Sequence, residues 1–140
     1  MAKALFPGSF DPFTAGHEAV LRRVLPLFDK VYVAVGVNSE KHCMFSVEER
    51  LQRIRETMAD CPNVEVLSYS GMTVDLCHQL GVQAIIRGIR TAKDFDYEQT
   101  IASVNRLQDP SIETLLVLAD DEHRDISSTL ERERIAHAAH

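Results

Sequence analysis

The sequence predicts a Rossmann-like, doubly wound α/β domain on a five-stranded parallel sheet. Three observations predict it. Short runs rich in β-branched residues alternate with segments of helical period across 140 residues. The second run, Val-Tyr-Val-Ala-Val-Gly-Val at residues 31–37, is apolar on both faces, as a central parallel strand must be. Polar and glycine-rich clusters follow the runs, where such a sheet collects its ligand groups, at the strand carboxyl ends beside the reversal of strand order. With no repeat, low-complexity stretch or linker, residues 1–140 read as one domain.

The elements follow in order. Residues 4–6 make a short apolar strand, stopped by Pro7-Gly8. Val20, Leu21, Val24, Leu25 and Phe28 repeat at helical spacing with Arg22 and Arg23 on the wet side, and Pro26 bends or ends that helix. Residues 31–37 are the second strand. Ser46-Val47-Glu48-Glu49 is a capping box opening a helix whose buried stripe is Val47, Leu51, Ile54 and Met58. Residues 64–69 form the third strand, and Val74, Cys77 and Leu80 a short helix closed by Gly81. Residues 84–86 form the fourth strand. Phe95, Ile101, Val104 and Leu107 line a helix that ends before Pro110. Residues 114–118 are the fifth strand, and a last helix begins near Ser127.

Composition excludes several classes. Fifteen Lys and Arg against 21 Asp and Glu give −6, the wrong sign for a general duplex-binding face, so an anionic substrate must be held by a few local cations. No apolar run approaches the ~20 residues of a membrane span, and Met1-Ala2-Lys3 does not open a secretory segment. Cys43, Cys61 and Cys77, an odd set without C-x-x-C spacing, read as reduced thiols of a cytoplasmic protein. Neither G-x-G-x-x-G nor G-x-x-x-x-G-K-[ST] occurs. The six histidines lack partners at ligand spacing, and Asp120-Asp121-Glu122 reads as a solvated turn before a magnesium site, so no side-chain metal site is expected.

Four loops carry the chemistry. After the first strand, Thr14 caps a helix, Gly16 allows close approach, and His17 lies in the opening turn where free N–H groups and the helix dipole attract an anion. Lys41 follows the buried second strand. Arg87-Gly88-Ile89-Arg90 follows the fourth and offers two guanidinium forks suited to phosphate. A salt bridge with the acidic run Asp94-Phe95-Asp96-Tyr97-Glu98 is the competing use of either arginine. Ser127-Ser128-Thr129, after the fifth strand, is an N-cap that also suits an anion. No side-chain nucleophile is apparent.

Thr14-Ala15-Gly16-His17 and Ile126-Ser127-Ser128-Thr129 resemble the [T/H]-x-G-H and I-S-S-[TS] motifs of the nucleotidyltransferase superfamily. Within it, Pro7-Gly8-Ser9-Phe10-Asp11-Pro12, the segment from Met44 to Arg50, Arg87 to Arg90 and Asp94 to Glu98 resemble, in order and spacing, the bacterial phosphopantetheine adenylyltransferase family. The resemblance covers residues 3–135. It implies transfer of AMP from ATP to 4′-phosphopantetheine, with Mg²⁺ carried by ATP, by in-line attack without a covalent intermediate.

On that resemblance His17 stabilises the pentacoordinate phosphorus, Lys41 holds the attacking phosphate, and Arg90 and Ser128 complete the catalytic set. Ser9, Phe10, His17, Gly88, Ile89, Arg90 and Glu98 surround ATP. So do His123, Arg124, Asp125, Ile126, Ser127, Ser128 and Thr129. Ser9, Lys41, Thr73 and Arg87 face phosphopantetheine. Asp125 stands where the family usually has an apolar residue, His123 where an aromatic is common, and relatives continue past His140. The family assembles as a hexamer, and coenzyme A is a possible feedback ligand. Two alternatives stay open: a related transferase acting on nicotinamide mononucleotide or a sugar or alcohol phosphate, and a nucleotide- or coenzyme A-binding protein without turnover.

Overall fold

Runs of Val, Ile and Leu bounded by Gly or Pro bury themselves most completely between two helical layers, and the chain does this five times. The structure, a computed structural model, describes residues 2–38 and 42–119. The order is β1 (Lys3–Gly8), α1 (Ala15–Val24), β2 (Lys30–Gly36), α2 (Val47–Thr57), β3 (Val64–Tyr69), α3 (Thr73–Leu80), β4 (Ala84–Ile89), α4 (Ala92–Gln108) and β5 (Glu113–Leu118). All neighbouring strands are parallel, in the spatial order β3-β2-β1-β4-β5. The order reverses between β1 and β4. Among the described residues no helix is long and apolar enough to cross a membrane.

The pleat divides the core. Ala4, Phe6, Val31, Val33, Val35 and Ile86 face α1 and α2, meeting Val20, Leu21, Val24, Ile54 and Met58. Leu5, Tyr32, Ala34 and Ile85 face the opposite side, where Val74, Leu76 and Cys77 of α3 cover them. Helix ends follow the sequence signals. Thr14, Ser46 and Thr91 each accept a capping hydrogen bond at an N-terminus. Gly81 closes α3 with a left-handed backbone, and a 3₁₀ turn at Leu25–Leu27 replaces the α-helix at Pro26. Cys43, Cys61 and Cys77 are free thiols.

Three expectations need correction. Pro7-Gly8 does not stop β1, which pairs with β2 through Gly8. Proline is tolerated because β1 pairs with β4 only at Ala4 and Leu5, so on that side there is no later ladder for the missing N–H to break. Likewise β4 runs on to Ile89, placing Arg87, Gly88 and Ile89 inside a strand paired to β5 instead of in a loop. Gly88 makes this possible, since a Cβ there would stand 3.2 Å from a methyl of Val20. Finally, the apolar stripe of α4 is not buried: Phe95 is 42%, Val104 49% and Leu107 86% exposed, while Glu98 of the same helix is buried. The helix expected near Ser127 lies outside the described residues.

Leu21 is fully buried in the layer that carries α1. Leu21→Ala should cost about 3 kcal/mol in a urea titration, within the range of core truncations.

Candidate active site

The loop from β1 to α1 is built around a capping box of unusual chemistry. Thr14 Oγ1 accepts the N–H of His17 at 3.3 Å, as a threonine N-cap should. The reciprocal bond normally falls to a glutamate or glutamine. Here the imidazole takes that place: the Thr14 backbone N–H donates to His17 Nδ1 at 3.0 Å, and the Thr14 hydroxyl lies 3.0 Å from the same nitrogen. A backbone N–H can only donate, so Nδ1 must carry the lone pair, and the ring proton belongs on Nε2. Phe10 meets the ring edge-on at 5.1 Å and Phe13 stacks on it at 5.6 Å. Burial, followed by the charges of Arg90 and Arg87, lowers the His17 pKa to about 4. The group at this helix start is therefore a neutral, oriented N–H donor at pH 7.

The two arginines divide between the two uses open to them. Arg87 is spoken for: its Nε and Nη2 donate to the two oxygens of Glu98 at 2.8 and 2.7 Å, and Nη1 donates to the carbonyl of Pro7. Burial alone would lower its pKa, but the Glu98 carboxylate more than offsets that and raises it. Arg90 is different. Its guanidinium lies beside the opening turn of α1, with Nη2 3.6 Å from where a Cβ on Gly16 would stand. Its backbone N–H is held by Asp94 at 3.1 Å. Among the described residues the Arg90 side chain has no carboxylate partner.

These groups border two adjoining cavities at the carboxyl ends of β1 and β4. The larger, about 840 Å³, is lined by Ser9, Phe10, Gly16, His17, Gly88 and Arg90. The smaller, about 360 Å³, is lined by Asn38, Cys43, Tyr69, Thr73, Ile101 and Asn105. Pro7, Gly8, Ser9, Arg87, Tyr97 and Glu98 border both. Thr73 starts α3, with its hydroxyl 3.0 Å from that of Tyr69.

The structure thus brings Ser9, Phe10, His17, Gly88, Arg90, Arg87, Glu98 and Thr73 to one crevice. It does not bring the side chain of Ile89 there: that residue is buried in β4, and neither cavity is lined by it. Glu98, expected near the nucleotide, spends both carboxylate oxygens on Arg87. Lys41, His123, Arg124, Asp125, Ile126, Ser127, Ser128 and Thr129 lie outside the described residues.

Sequence reasoning missed the braces behind the first loop. Asp11 accepts the N–H groups of Met44 at 2.6 Å and Phe45 at 2.8 Å. Burial pushes its carboxyl up, but those N–H groups and the Arg50 charge together hold it below the usual range. From α2, Arg50 Nη1 donates to the Ser9 carbonyl at 2.9 Å and Arg53 Nε to that of Phe13 at 3.1 Å. The available signal was a charge in the wrong place, because Arg50 falls on the buried stripe between Val47 and Ile54.

Residues 5–134 match the model of the cytidylyltransferase-like family. The chain is 48% identical over 135 residues to the phosphopantetheine adenylyltransferase of Flavobacterium psychrophilum, covering 96% of this chain and 89% of that one. It is 44% identical over 137 residues to the phosphopantetheine adenylyltransferase of Bacteroides thetaiotaomicron, covering 98% and 90%. This chain belongs to the phosphopantetheine adenylyltransferase family. Its fold is also that of the bifunctional NMN adenylyltransferase/ADP ribose pyrophosphatase of Francisella tularensis, with a TM-score of 0.64 at 19% identity over 85% of this chain and 38% of that one.

For this family member the tautomer of His17 is open to direct measurement. Nitrogen-15 NMR should show the proton on Nε2 at pH 7 and a midpoint near 4 instead of 6.5. The sign for stability follows from the lowered value. As pH falls from about 6.5 to about 4, the unfolded chain takes up a proton that the folded ring refuses, so His17 costs the fold stability across that interval.

Proposed function

We propose that the protein transfers the adenylyl group of ATP to 4′-phosphopantetheine, yielding dephospho-coenzyme A and pyrophosphate. The observation that carries this reading is the pair of cavities sharing Ser9 and Arg87, with His17 and Arg90 on the larger one. Such a site suits two substrates whose phosphates meet at a common wall. ATP fits the larger cavity, with Gly88 and Arg90 beside it. The pantetheine arm fits the smaller, beside Thr73.

An oxygen of the acceptor phosphate attacks the α-phosphorus in line. A new P–O bond forms as the bond to the β-phosphate oxygen breaks, and pyrophosphate leaves with its electron pair. No side-chain nucleophile takes part, so rate comes from positioning and charge stabilisation. His17 Nε2–H donates to the non-bridging oxygen on which charge grows. Its neutrality means that it orients the transition state while Arg90 and Lys41 supply the charge. Lys41 holds the attacking phosphate, and Arg90 and Ser128 steady the departing β,γ-phosphates. Mg²⁺ arrives with the triphosphate as part of that substrate.

Coenzyme A shares the pantetheine arm and therefore fits the smaller cavity as a feedback ligand. The exposed Phe95, Val104 and Leu107 of α4 favour a homo-oligomer, which we take to be the family's hexamer. The three free thiols suit a reducing, cytoplasmic setting.

Purified protein given ATP, Mg²⁺ and 4′-phosphopantetheine should release pyrophosphate, whereas nicotinamide mononucleotide in place of the acceptor should not support release. His17→Ala should lower kcat on the order of 10²–10³-fold, the usual cost of one oriented transition-state donor. An unchanged kcat would remove His17 from this role.

A further inference from the structure

The described part of the molecule contains a buried cation that the mechanism above leaves unused. Arg50 is only 4% exposed. It sits in the first turn of α2, where the helix dipole repels positive charge. Burial of a guanidinium at that end of a helix is doubly unfavourable unless its donors are well satisfied. Its partners are carbonyls: Nη1 donates to Ser9 O at 2.9 Å and Nε to Ser46 O at 3.4 Å, with the Asp11 charge close by.

The Ser9 contact has a geometric consequence. In a trans peptide the carbonyl of residue 9 and the N–H of residue 10 point in opposite directions. Drawing Ser9 O toward α2 therefore turns the Phe10 N–H away from α2. No residue of α2 lines either cavity, whereas Ser9 and Phe10 both line the larger one. Phe10 also holds a left-handed backbone, φ 47°, which a non-glycine residue keeps only when its surroundings impose it. Its ring is fixed between Phe6 at 5.3 Å and Phe13 at 5.3 Å, so ring packing and the Arg50 grip act on the same peptide from two sides.

We infer that Arg50 is a positioning residue: it fixes the Ser9–Phe10 peptide so that the Phe10 N–H is presented to a phosphate in the larger cavity. This role rests on the adenylyl-transfer reading for its effect on rate, but not for its effect on the amide. Arg50→Gln removes the charge and the fork, and Arg50→Lys keeps the charge with one flexible donor. Kinetics with ATP and 4′-phosphopantetheine should show kcat reduced on the order of ten- to a hundredfold in Arg50→Gln, the size of effect typical of a lost supporting partner, with partial recovery in Arg50→Lys. In proton–nitrogen NMR, inorganic tripolyphosphate should shift the Phe10 amide of the unaltered protein, and much less that of Arg50→Gln.

Unchanged kcat and KM together with an unchanged Phe10 response in both variants would overturn the inference. If Arg50→Gln fails to fold, Arg50→Lys carries the same two measurements. Absence of pyrophosphate release from the unaltered protein would instead count against the transferase reading, and the Phe10 amide response would still decide the part played by Arg50.

Discussion

Because β1 is registered to β4 only at Ala4 and Leu5, the two central strands part company before either reaches its carboxyl end. On its other side β1 stays paired with β2 as far as Gly8. The opening is thus confined to the place where strand order reverses. A gap in a ladder leaves backbone groups without partners, and a buried carbonyl left so is costly. Arg87 answers this by donating to the carbonyl of Pro7 from across the gap. Glu98 then holds the other edge of the guanidinium, which explains why a carboxylate is the buried residue of α4. The crevice is a strand separation propped by a buried ion pair, and the site inherits its shape from that prop.

Electrostatics in the crevice are economical. The chain carries −6 overall, yet His17 lies within the fields of two guanidinium groups. Were the imidazole charged as well, a third cation would share a partly desolvated space with them, and burial together with their repulsion is what lowers its pKa. The protein avoids this by giving His17 a neutral role and tying its Nδ1 to the backbone of Thr14. Charge and direction are separated between residues: the arginines carry the positive charge, and the imidazole is a neutral donor whose proton direction is set by Thr14.

Most of the architecture was legible in the sequence because period and punctuation agree. Val31 to Val37 could hardly be anything but a central strand, Ser46-Val47-Glu48-Glu49 does form its capping box, and Gly81 does close α3. What escaped were the features set by neighbours. Pro7 reads as a stop until one knows that β4 has already left its side, and Gly88 reads as a loop residue until Val20 is seen against it. The site was legible where a motif coincided with a helix start, as at Thr14 to His17. It was not legible at Asp11, Arg50 and Arg53, whose bonds run 33 to 41 residues along the chain. No local pattern announces a side chain that holds a distant carbonyl.

The spacing of the two arginines has its own logic. Successive side chains of a strand alternate between faces, so residues three apart lie on opposite sides of the sheet. In β4, Ile86 faces α1 and α2, and Gly88 meets Val20 of α1. Continuing that alternation, Arg90 arrives beside the first turn of α1 and His17. Ile85 belongs to the other face, and Arg87 follows it to reach Glu98 of α4. A spacing of two would have put both guanidinium groups on one face of the sheet. With three, one arginine is built into the wall between the cavities and the other lies beside the start of α1, with no carboxylate partner among the described residues. A single strand thereby sends one arginine to each side of the crevice.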